Sequence, residues 1–145
     1  MRLTINVLVY TAVVLLAQSV LAQGNSSPGP SKDKPAASSA ITKKVDVNEF
    51  EKLWKDKQNV VLDVRTPKEF AAGHIPGAVN VDVKSSDFEQ QISKLKKDQQ
   101  YLVHCGAGAR SARACEAMTQ AGFTNLIDLA PGFKAWEKAG KPVEK

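Results

Sequence analysis

The chain has 145 residues, with 20 Lys and Arg against 15 Asp and Glu and a formal net charge of +5. The lysines are scattered, as at Lys94, Lys96 and Lys97, without aromatic interleaving or a nucleic-acid motif, so the charge reads as a solvated surface and argues against a nucleic-acid partner. No Cys/His grouping has metal-ligand spacing, and neither a metal nor a cofactor is expected.

Arg2 supplies a short positive start, residues 5–17 are mostly apolar, and Gln18-Ser19-Val20-Leu21-Ala22 ends in a small residue. This is the pattern of a secretory signal, residues 1–22, cut after Ala22. An uncleaved anchor is the alternative, because residues 3–21 almost span a bilayer of roughly 30 Å at ~1.5 Å per residue. Thr4, Asn6, Thr11, Gln18 and Ser19 interrupt that stretch. With the signal removed, no stable membrane insertion is expected. Residues 23–40 are rich in Gly, Ser, Pro, Ala, Asn and Lys, which predicts a disordered linker, since no large apolar side chain offsets the ordering entropy. Residues 41–145 have the size of one compact domain. The address is periplasmic or secreted, and the single-domain plan favours the periplasm.

Strand-length apolar runs alternate with helical patterns along this domain, the signature of an α/β fold whose sheet is largely parallel. Residues 41–45 form a first strand. Asp46-Val47-Asn48-Glu49 has capping-box spacing, and Val47, Phe50, Leu53 and Trp54 recur at helical intervals. Residues 60–64 read as a buried strand. Thr66-Pro67-Lys68-Glu69 is a second capping box, opening a short helix that stops at Gly73. His74-Ile75-Pro76-Gly77 is a turn, and residues 78–81 are the next strand. Ser86-Asp87-Phe88-Glu89 starts a helix placing Phe88, Ile92 and Leu95 on the core. Residues 101–104 are a strand, residues 110–121 a helix closed by Gly122, and residues 126–129 the last strand. Pro131-Gly132 turns into a short helix bearing Phe133 and Trp136. Five strands flanked by helices are expected.

Cys105 stands where a strand stops and a helix starts, at the head of Cys105-Gly106-Ala107-Gly108-Ala109-Arg110-Ser111. The helix entry offers unpaired N–H groups and the positive end of a dipole, both of which favour a thiolate. Two glycines let the backbone curl so that successive N–H groups point inward, an anion-binding nest. Arg110 adds a fixed charge at the rim. Cys105 is therefore the candidate nucleophile. Cys115 falls at core spacing with Ala112 and Met118, roughly 7.5 Å along the helix axis, and reads as core rather than as a disulfide partner or resolving thiol. His104 points to the opposite face of its strand and is poorly placed as a base.

The segments Leu62-Asp63-Val64-Arg65, Glu69-Phe70, Gly73-His74-Ile75-Pro76-Gly77-Ala78 with Asn80, the run from Cys105 to Arg110, and Ala121-Gly122-Phe123 through Gly132 to Trp136 stand in an order and spacing that resembles a single-domain rhodanese, the thiosulfate sulfurtransferase family. The resemblance covers residues 47–143. It implies that Cys105 takes a sulfur from a donor such as thiosulfate, holds it as a persulfide, and passes it to cyanide or a thiol in a double displacement. The residues 106–111, namely Gly106, Ala107, Gly108, Ala109, Arg110 and Ser111, would bind the substrate sulfur. The family pattern pairs Arg110 with Asp63, and Arg65 is expected to brace the loop against Glu69. Pro131 departs from the family's usual glycine before the last helix, which puts one wall of the pocket in question.

Two rivals remain. His104-Cys105 followed by Gly108 and Arg110-Ser111 almost spells a cysteine-phosphatase or arsenate-reductase loop, but only four residues separate cysteine from arginine, one fewer than that loop has. The shorter nest suits one sulfur atom better than a tetrahedral phosphate. A persulfide carrier or interaction module, handing sulfur to a protein acceptor, is the other.

Overall fold

The computed structural model describes residues 41–145; the expected signal and linker, residues 1–40, lie outside the described residues. Five strands form one sheet: β1 (Ile41–Val45), β2 (Val60–Asp63), β3 (Val79–Asn80), β4 (Gln100–His104) and β5 (Asn125–Leu129). Their order is β1-β5-β4-β2-β3, and every pairing is parallel. Between and after them run α1 (Val47–Trp54), α2 (Pro67–Ala72), α3 (Phe88–Ser93), α4 (Ala109–Gln120) and α5 (Gly132–Lys138).

Parallel strands need crossover helices, and helices on both sides bury both sheet faces. The central strands show it. Along β4, Tyr101 and Val103 pack with Met118 and Ala114 of α4, whereas Leu102 packs with Phe50 of α1 and Trp136 of α5. Strand alternation thus divides one apolar run between two cores. Trp54 and Trp136 meet edge to face on the second side, and each satisfies its indole N–H on a carbonyl, of Pro76 and Pro142 respectively.

Local signals hold unevenly. At α2, Thr66 accepts from the Glu69 backbone N–H and Glu69 reaches back to the Thr66 N–H, a complete capping box. At α1 only half forms, because Asp46 caps Glu49 while the Glu49 carboxylate turns to Lys43. At α3 the capping box expected from Ser86 does not form: the N-cap is Asp87, whose carboxylate makes no cap and accepts from the Ser85 hydroxyl, and the helix ends at Ser93, leaving Leu95 beyond it, still against the core.

Candidate active site

The site gathers at the carboxyl ends of β2, β4 and β5, where parallel sheets leave an open edge between helices. Cys105 follows β4 directly and is 1% exposed, at the floor of a cavity of about 150 Å³ lined by Glu69, Gly106, Ala107, Ala109, Arg110 and Lys134. A broader open groove at the other end of the strands, walled by Asp56, Asn59, Asp98 and Gln100, holds no thiol, hydroxyl or imidazole.

Backbone geometry shapes the cradle. Gly108 caps α4 at φ 90°, a left-handed conformation, and a Cβ there would lie 1.9 Å from the Ala130 carbonyl oxygen. Its N–H donates to the Cys105 sulfur at 3.1 Å. From the other side, α5 docks through its own first N–H groups: Phe133 donates to the Cys105 carbonyl at 2.7 Å and Lys134 to the Gly106 carbonyl at 3.1 Å. With those carbonyls drawn outward to α5, the cradle N–H groups are left facing the sulfur. Gly132 makes the docking possible, since a Cβ there would sit 2.6 Å from the Ala107 nitrogen. The departure at Pro131 falls on an exposed residue beside this contact, not in it.

Burial pushes the Cys105 thiol pKa up, but hydrogen bonds from the Ser111 hydroxyl and from the N–H groups of Ser111, Ala107 and Gly108 outweigh it, leaving the thiol below its ordinary range. Cys115 has no such donors, and burial carries its pKa up to about 12. Both thiols are free. One is disposed to ionise and the other is not.

The charged frame differs from the expected pairing. Arg110 does not meet Asp63; it forms two parallel hydrogen bonds to Glu69, both 2.7 Å. Arg65 does not brace Glu69; its guanidinium folds back on Asp63, with Nε 2.9 Å from Oδ1, and donates to the Gly73 carbonyl at 2.7 Å while covering the Phe133 ring. The reason is reach. Asp63 is fully buried two residues before Arg65, whereas Glu69 stands at the edge of the cavity. Hydrogen bonding to Arg110, opposed by partial burial and helped by Thr66, holds the Glu69 carboxyl down at about 2. Asn80 ties the frame together by donating to the carbonyls of Asp63 and Arg65.

His104 lies on the opposite face from Cys105, between the rings of Phe50 and Phe133, with neither ring nitrogen hydrogen-bonded. Its burial, only partly offset by Asp63, lowers its pKa to about 4. His74 stacks on Phe70 and contacts the Phe70 carbonyl, as a turn residue. Among the described residues no group of His, Cys, Asp and Glu is arranged to hold a metal. Lys134 carried no motif signal; only the docking of α5 brings it to the wall of the Cys105 cavity.

The sequence profile of the rhodanese-like domain matches residues 46–139, more than half of the chain. The chain belongs to the rhodanese-like domain family. Within it, thiosulfate sulfurtransferase 16 of Arabidopsis thaliana, a chloroplastic protein, is 39% identical over 93 residues, covering 57% of this chain and 78% of that one. A sulfurtransferase of Allochromatium vinosum is 31% identical over 104 residues, 71% of this chain and 95% of its own length. The crystal structure of a rhodanese-related protein from Thermoplasma volcanium superposes with a TM-score of 0.63 at 30% identity, covering 70% of this chain and 97% of that one.

Proposed function

We propose that this rhodanese-like domain is a sulfurtransferase, moving a sulfane sulfur from a small anionic donor such as thiosulfate to a thiol or cyanide. The observation that carries the reading is the recessed Cys105 sulfur, held by the Gly108 N–H at 3.1 Å at the floor of a small cavity and shifted toward thiolate. In the first half-reaction the thiolate attacks the outer sulfur of the donor. A new S–S bond forms, the donor S–S bond breaks, and sulfite leaves with its electron pair. In the second, the acceptor attacks the outer persulfide sulfur, and the Cys105 thiolate is the leaving group. Cradle N–H groups already oriented before the sulfur arrives stabilise the anion in both halves. No general acid is required.

A phosphatase would need one for its leaving group. Glu69 is the carboxylate lining the cavity, and its pairing with Arg110 keeps it ionised. Handing the persulfide to a protein acceptor uses the same thiol and remains compatible with the site. The address proposed is the periplasm or the exterior, resting on the leader pattern of residues 1–22, and a mature chain beginning at Gln23 would support it.

Incubation with thiosulfate, followed by intact-mass measurement, tests the activity. The wild type should gain the mass of one sulfur and lose it to cyanide, and Cys105→Ser should gain nothing. A wild-type protein that never takes up sulfur from any sulfane donor would refute the proposal.

A further inference from the structure

Glu69, Arg110 and Lys134 are the charged residues lining the Cys105 cavity. Two of them cancel. The Arg110 guanidinium donates twice to the Glu69 carboxylate at 2.7 Å, and that carboxyl, held down at about 2, is ionised at neutral pH. The guanidinium is also fixed over Gly106, where a Cβ would come 3.1 Å from its Nη2, so it serves as a wall of the cavity with its charge already spent on Glu69. Ala107 and Ala109 are exposed at the rim and have no polar side-chain atom. Lys134 is left as the cation without a counter-charge: it is exposed and, among the described residues, makes no ion pair.

The main chain fixes where this lysine stands. Its N–H donates to the Gly106 carbonyl at 3.1 Å, next to the Phe133 N–H on the Cys105 carbonyl at 2.7 Å, so its backbone is held against the cradle by bonds that no side-chain replacement removes. The chemistry asks for positive charge at this wall. A thiolate attacking thiosulfate brings a third negative charge up to a dianion, and like charges in a recessed site repel more strongly than in open water. The outer sulfur of the donor must reach Cys105 at the cavity floor, which leaves the sulfonate end outermost. Charge collects on that end as the S–S bond breaks and sulfite departs with the electron pair.

We propose that Lys134 is the specificity-determining residue for anionic donors, its ammonium offsetting the repulsion between the Cys105 thiolate and a donor that carries charge on its leaving end. The inference deepens the sulfurtransferase reading and rests on it: oxyanion-ended sulfane donors such as thiosulfate are selected over uncharged polysulfides by this one side chain. The ammonium gives up no proton and forms no bond to the reacting sulfur. Its effect is electrostatic, so it follows the charge of the incoming molecule and not the kind of bond that is made.

The test compares the rates at which iodoacetate and iodoacetamide alkylate Cys105, read by intact mass on the full chain at low ionic strength. The two reagents are of similar size and differ by one negative charge. Both consume the same thiolate, so any change in the Cys105 pKa cancels from the ratio of their rates. In Lys134→Gln the iodoacetate-to-iodoacetamide ratio should fall about threefold and in Lys134→Glu about tenfold, the scale of one and two unit charges at a solvated mouth, while Lys134→Arg should keep it. Sulfur uptake from thiosulfate, a dianion, should fall further than iodoacetate labelling, by about tenfold in Lys134→Gln. A ratio unchanged in both Lys134→Gln and Lys134→Glu overturns the proposal whatever happens to sulfur uptake, and so does a fall in Lys134→Arg as deep as in Lys134→Gln, which would tie the effect to shape. If the variants do not fold, salt decides on the wild type: the ratio should drop at about 1 M salt, where the screening length is about 3 Å, and a flat ratio overturns the proposal. Labelling needs no sulfane donor, so a wild type that takes up no sulfur would sink the sulfurtransferase reading and leave the labelling ratio interpretable.

Discussion

Glu69, in the first turn of α2, grips Arg110 of the cradle through two parallel 2.7 Å hydrogen bonds, joining residues 41 apart in sequence across the mouth of the Cys105 cavity. The pair fixes the guanidinium plane, which a flexible lysine would not do. It also ties α2 to α4, because Glu69 is at once the capping-box carboxylate of α2.

That double duty sets a pH signature. The folded Glu69 pKa is depressed from 4.5 to about 2, so its contribution is fully present above the unfolded value and is lost as pH falls through the folded one. Wild type should exceed Glu69→Gln in unfolding free energy at neutral pH by about 1 kcal/mol, a value discounted for solvent screening of the partly exposed pair. Urea melts should show the difference shrinking between about pH 4.5 and pH 2. A difference independent of pH would mean that the carboxylate charge is not what holds the pair.

Gly132→Ala tests the docking of α5 on the cradle. Its Cβ would meet the backbone of Gly106 and Ala107 at 2.6 Å, and backbone cannot swing aside. Sulfur uptake should collapse, with a stability loss on the order of 2–3 kcal/mol. Gly77→Ala is the control. It shares a left-handed φ, at 78°, but meets nothing within 4 Å, so it should cost only about 1 kcal/mol and keep activity.

The alternation of strands and helices, the Cys105 cradle and the inert placement of Cys115 were legible because each is written in contiguous residues: a glycine-spaced run for the cradle, a helical period for the core thiol. The partners of Arg110 and Arg65 were not. Four charged groups in this region, Asp63, Arg65, Glu69 and Arg110, admit two pairings, and the choice depends on the depth of Asp63 below the cavity rim, which sequence spacing does not encode. The capping boxes read at Asp46 and Ser86 fared differently, since Lys43 takes the Glu49 carboxylate from the first and the helix after the second starts one residue later, behind Asp87, whose carboxylate accepts from Ser85.

The two thiols should separate cleanly in reactivity. With the Cys115 pKa up at about 12 and its side chain buried, iodoacetamide at neutral pH should label one site, and Cys105→Ser should abolish labelling of the folded protein. Cys115→Ala should keep sulfur uptake and lose about 1 kcal/mol of stability, the cost of emptying a small buried volume. Loss of activity in a folded Cys115→Ala protein would move that thiol into the chemistry.

His104 predicts a second pH dependence, of a kind that does not involve the active sulfur. The ring is fully buried with both nitrogens unpartnered, and its folded pKa, about 4, lies below the ordinary 6.5. Between those values the unfolded chain binds a proton that the folded protein refuses, so the histidine's contribution is complete above pH 6.5 and is lost as pH falls toward 4. The loss is at most about 3 kcal/mol, from roughly 1.4 kcal/mol for each pH unit between the two values. His104→Leu should remove it. At neutral pH, where the ring is uncharged in both states, the variant should stay close to wild type apart from a packing cost against Phe50 and Phe133. Asp63, whose Oδ2 lies 3.7 Å from His104 Nε2, keeps its Arg65 partner in the variant. Urea melts from pH 4 to pH 7 should therefore give a flatter stability curve for His104→Leu than for wild type. Parallel curves would mean that His104 takes up its proton within the fold, and that the buried ring is held by charge with Asp63 rather than by exclusion of water.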